Sequence, residues 1–148
     1  MKNPKIERAA KFFLSGLIIL FIYGIVVAII SHTVAVDTFQ RFTGEDASKL
    51  DPKYLELLVH QTRMVGLMGA GTVLLVMYIL WTNFRAGDKW ALIAIFVGGG
   101  LTIGTLITLH MAMKAWPLFI VDNIGLFPIG LAFPMVLREF FPKKSDAK

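Results

Sequence analysis

The sequence predicts an all-α integral membrane protein, an antiparallel four-helix bundle with both termini in the cytoplasm. Three observations carry this. Hydrophobic residues make up 56% of the 148 positions, more than a soluble domain needs for its core. Four apolar runs reach membrane-spanning length. Lysine and arginine collect in the segments that a four-pass path puts on one side. The chain reads as a single transmembrane domain over 1–148, with helices at about 12–36, 57–81, 90–113 and 118–137 and an outer loop at 37–56.

The first run, FFLSGLIILFIYGIVVAIISHTVAV, is too long for a signal-peptide core and lacks a small-residue cleavage site at a suitable distance. It is expected to be a retained helix. A hydrocarbon core about 30 Å thick needs about 20 helical residues, and backbone groups in lipid must be satisfied within the segment. The stretch LIILFIYGIVVAII is almost uniformly apolar, so this helix is expected to face lipid, a membrane protein partner or a second copy of the chain. In the outer loop, DTFQRFTGEDASKLDPKYLE, Asp51 before Pro52 suits an N-cap followed by proline at N1, so a helix is expected to start there and run into the second helix. Phe39, Phe42, Trp81, Trp90 and Trp116 fall at predicted boundaries, where aromatic belts sit.

The second and third helices are joined by a short turn, NFRAGDK, and are expected to be neighbours. Lipid supplies no hydrophobic drive for helix association, so small residues that allow close backbone approach matter instead. Gly66, Gly69 and Gly71, with Ala70, and Gly99, Gly100 and Gly104 are the expected packing residues; the triple glycine Gly98–Gly100 could equally be a flexible point. The fourth helix carries Gly125, Pro128, Gly130 and Pro134 and is expected to bend, because proline removes a backbone donor.

Charge orients the path. Lys2, Lys5, Arg8, Lys11, Arg85, Lys89, Arg138, Lys143, Lys144 and Lys148 fall on one side, which nets +6. Arg41, Lys49, Lys53, Arg63 and Lys114 fall on the other, which nets −1. The basic side is expected in the cytoplasm, so the overall +5 orients a multi-pass protein of the cell membrane and calls for no nucleic-acid partner.

The polar residues within the runs share a depth. His32 lies 21 residues after Lys11, His60 lies 21 before Trp81 and His110 lies 20 after Trp90. Each is therefore about 30 Å from the cytoplasmic boundary. Arg63 lies a turn deeper than His60, and Asp122 and Asn123 fall in the same leaflet. On the second helix His60, Arg63, Ala70 and Gly71 share an arc of about 100°, so the polar groups are expected to face inward. Arg63 with Asp122 is the expected ion pair, by sign and depth. Three readings follow for His32, His60, Arg63, His110, Asp122 and Asn123. One is a wet helix-end network. Another is a small-ligand or quinone pocket. The last is a metal or b-type haem held by His60 and His110.

There is no cysteine, which excludes disulfides and thiolate metal sites. No phosphate loop, dinucleotide fingerprint, Gly-x-Ser-x-Gly or His-Glu-x-x-His appears, and no carboxylate stands at the bilayer centre for a proton relay. The chain therefore reads as a small non-enzymatic accessory or interaction subunit of a membrane assembly, needing no cofactor. The alternative is a quinone- or haem-binding subunit of a membrane oxidoreductase.

Over about 57–137 the chain resembles the small four-helix membrane proteins called DoxX-like. The likeness rests on RMVG (Arg63 to Gly66), on Gly100 and Gly104, and on the Trp116–Pro117 turn before a glycine-containing last helix. Thr105 follows Gly104 where such proteins often carry an arginine, and Asp122 and Asn123 stand near the place of an acid early in their last helix. The resemblance implies a fold more than an activity.

Overall fold

A computed structural model describes residues 3–112 and 116–141. Lys2, Met113, Lys114, Lys143, Lys144 and Lys148, which entered the reading of helix ends and orientation, lie outside the described residues. All regular structure among the described residues is helical. Four helices are long and apolar enough to cross a membrane: Pro4–Ile29, Pro52–Phe84, Lys89–Ala112 and Phe119–Leu137. They are spans one to four below.

Span one is α1 (Pro4–Ile29), and it begins two turns before the apolar run. Asn3 accepts the Lys5 backbone N–H as an N-cap, and Pro4 has the fixed φ that suits a first helical position. At Ile30 (φ −93°, ψ 28°) the helix breaks, and α2 (Ser31–Thr43) takes over at once. Residues 37–43 are therefore helix and not outer loop. Polarity ends the hydropathy run there, but no glycine or proline ends the helix until Gly44, which closes α2 at φ 76°. The loop shrinks to residues 44–51, with one 3₁₀ turn at Ala47–Lys49 capped by Asp46. The Ser48 backbone N–H bound by the Asp46 side chain holds that carboxyl below its ordinary range.

Span two is α3 (Pro52–Ile79), capped by Asp51 with Pro52 in the first turn, as the Asp–Pro pair suggested. It runs on through one π turn, Leu80–Phe84. The chain reverses at Gly87, whose φ of 86° needs a residue without a Cβ. Span three is α4 (Lys89–Ala94), a second π turn at Ile95–Gly99, and α5 (Gly100–Ala112). Two of the three consecutive glycines thus sit in the π turn, where an extra residue per turn widens the helix. Span four lies in α6 (Trp116–Phe140), which keeps Pro128 and Pro134 inside it.

Span one is the central element: it packs on α3 on one side and on α6 on the other. Glycines make both contacts. A Cβ on Gly66 would lie 2.7 Å from the Gly24 carbonyl oxygen and 2.8 Å from the Ala28 nitrogen. A Cβ on Gly16 would collide with the Gly125 carbonyl, and one on Gly125 would lie 2.7 Å from Leu20. These are backbone-to-backbone approaches of the kind that hold helices together in lipid. The helix expected to face lipid or a partner therefore spends its small-residue face inside the molecule, and Ile18, Ile22, Val26 and Ile29 point outward.

The glycine contact expected between spans two and three does not form. A Cβ on Gly69, Gly71, Gly98, Gly99, Gly100 or Gly104 meets no described atom within 4 Å. The two spans touch near their connecting turn, through α3 and Ile95–Gly99, and part beyond it. A cavity lies between them.

One end of the molecule is closed by rings and ion pairs. Phe13 and Phe84 are fully buried and meet edge to face at 5.2 Å; Phe96 stacks on Phe13 and Phe133, and Phe140 on Phe84. Around this layer Lys5 pairs with Glu139 at 2.6 Å, Arg85 pairs with Glu7 at 2.7 Å, and Arg85 lies 4.3 Å above the Trp81 ring. Hydrogen bonds from the Lys5 ammonium and the Asn3 amide hold the Glu139 carboxyl below its ordinary range. The start of span one, the end of span two and the end of α6 thus share one end.

Candidate ligand cavity

The polar residues of the other end are sorted by which helices touch. α5 and α6 pack on each other. His110 and Asp122 meet there: His110 Nδ1 lies 2.5 Å from Asp122 Oδ2. Both are enclosed, at 5% and 1% exposure. In the neutral tautomer that bonds a carboxylate, Nδ1 donates to Asp122 and Nε2 is left as an acceptor. No described residue bonds that second nitrogen.

The expected Arg63–Asp122 pair does not form. Spans two and four are not packed on each other, because span one lies between them. Arg63 is exposed, and its Nε sits 3.4 Å from Oγ of Ser31, a long contact for a hydrogen bond. His32 and His60 are exposed as well. Asn123 is exposed and donates to the Phe119 carbonyl one turn back in its own helix. Of the six residues expected to cluster, His110 and Asp122 come together, and the other four stand on the outside of the same end.

Between spans one, two and three, with Val34 and Thr38 of α2 and Leu126 and Ile129 of span four also in its wall, lies a cavity of about 480 Å³, within the usual range for small-molecule sites. Its shape follows from the helices that wall it. Lining residues run from Leu58 to Val76 on span two and from Ile95 to His110 on span three. At 1.5 Å per residue those stretches are about 27 Å and about 22 Å long. The cavity is a slot parallel to the helices.

Its polarity is graded. Toward one end stand Thr38, Gln61, Thr62 and His110, and Tyr23 lies about 15 Å along span one from Phe13. At the other stand Phe13, Val76, Ile95 and Phe96, which belong to the aromatic layer that closes that side. Thr72 and Thr102 line the middle, but each hydroxyl is spent on a backbone carbonyl one turn back, Met68 and Gly98. Gly69, Gly99 and Gly100 offer bare backbone along the wall. No Lys, Arg, Asp or Glu is among the described lining residues. His60 is not among them either, so His60 and His110 do not oppose each other across this cavity. Among the described residues no three of His, Cys, Asp and Glu come together as a metal site.

Gln61, Thr62 and Tyr23 line the cavity and were not among the six expected site residues. Gln61 and Thr62 stand between His60 and Arg63, and helical rotation puts them on the side away from His60. Tyr23 is a lone phenol in a uniformly apolar run, and that is the signal that could have singled it out. No family model, curated protein or solved structure matches this chain.

Proposed function

We propose that the chain is a multi-pass protein of the cell membrane, an antiparallel four-helix bundle with both termini cytoplasmic, and that it binds a membrane-dissolved amphiphile in the slot between spans one, two and three. One observation carries the binding reading: a long, mainly apolar cavity whose Gln61, Thr62 and His110 stand away from the aromatic layer that closes its other end. A ligand with a chain and a small head matches that gradient. The topology is supported by the basic excess of one side and by the ion pairs that gather the start of span one with the ends of span two and α6. The fold likeness to DoxX-like proteins belongs to this proposal and adds no ligand to it.

In this role the protein is a binding subunit that holds or presents a lipid, alone or within a larger membrane assembly. A quinone would be one head group within the same reading. A bis-histidine haem has less support, because His110 is the one histidine among the described lining residues. The test is binding of a fluorescent single-chain amphiphile to the protein in phospholipid nanodiscs. Saturable one-to-one binding, lost in Gly100→Leu, is expected. Partitioning equal to that of empty discs would overturn the reading. Tags at either terminus should be protected from protease in sealed right-side-out cells; digestion of either tag would overturn the topology.

A further inference from the structure

Within that reading, and resting on it, we infer that the occupant is a neutral single-chain lipid whose terminal hydroxyl donates a hydrogen bond to Nε2 of His110. Shape comes first. A volume of about 480 Å³ drawn out along about 25 Å of helix has the shape of an extended hydrocarbon chain and not of a flat macrocycle. Where the wall is narrowest in side chains it is made of Gly69, Gly99 and Gly100, whose missing Cβ atoms leave the chain room against backbone. The same bare stretch lies where spans two and three part, so a lipid can slide in sideways from the bilayer without crossing water.

The head group follows from the donors and acceptors at the polar end. His110 is nine-tenths buried, lines the slot and is held at Nδ1 by Asp122. That contact fixes the ring and leaves Nε2 as an acceptor, so the matching ligand atom is an O–H donor. Gln61, Thr62 and Tyr23 line the same slot, and each can give and take a bond. A carboxylate head is disfavoured. It has no proton to offer Nε2, it would stand near the buried charge of Asp122, and no described lining residue carries a compensating cation. An alcohol meets every requirement.

The test is the melting temperature of the full chain in nanodiscs of dioleoyl phosphatidylcholine, titrated with four probes at matched mole fractions. Hexadecanol is expected to raise it. The methyl ether of hexadecanol keeps the chain but lacks the donor, and should need about tenfold more for the same rise. Hexadecanoic acid should give no rise, and octanol, too short to fill the slot, much less. In Gly100→Leu, where the new side chain fills open space, the protein should fold and the hexadecanol response should vanish. In Asp122→Asn, which frees the ring to take the other tautomer, the preference for alcohol over ether should collapse while the preference for the long chain remains. An ether or an acid that matches the alcohol would overturn the His110 anchor and leave the binding role standing. No response to any of the four probes would overturn both.

Discussion

Two Gly→Ala changes on one helix, five residues apart, should have opposite signs. At Gly66 an added methyl would sit 2.7 Å from the Gly24 oxygen and 2.8 Å from the Ala28 nitrogen. Ordinary contact begins at 3.4 Å, so α1 and α3 must separate by 0.7 Å along the tightest line. The atoms in the way are backbone and cannot rotate aside. Overpacking of this kind costs about 1–3 kcal/mol, and separating the helices also loosens the neighbouring Gly24–Ala70 approach. At Gly71 the added methyl meets nothing within 4 Å, and replacing a mid-helix glycine by alanine stabilises by about 0.5–1 kcal/mol. Gly66→Ala receives the same propensity gain, so the two variants should differ by about 1–3 kcal/mol. Unfolding in mixed detergent micelles, followed by far-ultraviolet circular dichroism, reads this directly. Gly66→Ala should melt below the parent protein and Gly71→Ala at or above it. Equal stability of the two variants would refute the reasoning that Gly66 is the point of closest approach.

Other substitutions separate interactions that look alike in the sequence. Phe84→Ala removes a fully buried ring from the aromatic layer and should cost about 3–5 kcal/mol in the same unfolding assay, a range typical of buried aromatics. His110→Ala leaves the enclosed Asp122 carboxyl without its hydrogen-bond partner and should cost about 2–3 kcal/mol, whereas Arg63→Ala, at an exposed side chain, should cost about 1 kcal/mol or less. A larger loss for Arg63→Ala than for His110→Ala would restore Arg63 as the partner of Asp122. At the other end, Lys5 and Asn3 hold the folded-state pKa of Glu139 below its ordinary 4.5. The stabilisation is therefore complete above that value and fades as pH falls through the lower, folded-state pKa. Glu139→Gln should flatten the acid limb of a melting-temperature profile, and an unchanged limb would remove Glu139 from the acid response.

The spans were legible because each is a run of apolar residues longer than a bilayer needs, and Asp51–Pro52 marked the start of span two to the residue. What was hidden is lateral order. Depth along a helix follows from counting, which gave His110 and Asp122 similar depths, and the two side chains meet. Which neighbour each would meet depends on which helices touch, and counting says nothing of that. Arg63 had the right sign and depth for Asp122, but span one stands between their helices. The arc of span two shows the same limit. Taking His60 as zero, the residues that face inward, Gly66, Ala70 and Val76, lie at about 240°, 280° and 160°. The expected stripe, from about 280° to 20°, overlapped this at Ala70 and put His60 and Gly71 on the wrong side. Small residues announce that backbones can approach; they do not say whether another helix or a ligand fills the space. Gly66 meets a helix, and Gly69, Gly99 and Gly100 meet the slot.

The central claim is that the slot between spans one, two and three is a lipid site. Native mass spectrometry of the protein released from its own membranes tests it most directly. The account predicts a one-to-one adduct whose mass, after extraction, is that of a neutral single-chain lipid with a hydroxyl, present in the parent protein and missing from Gly100→Leu. A parent protein that leaves the membrane with no bound lipid, or with the same adduct as Gly100→Leu, would contradict it.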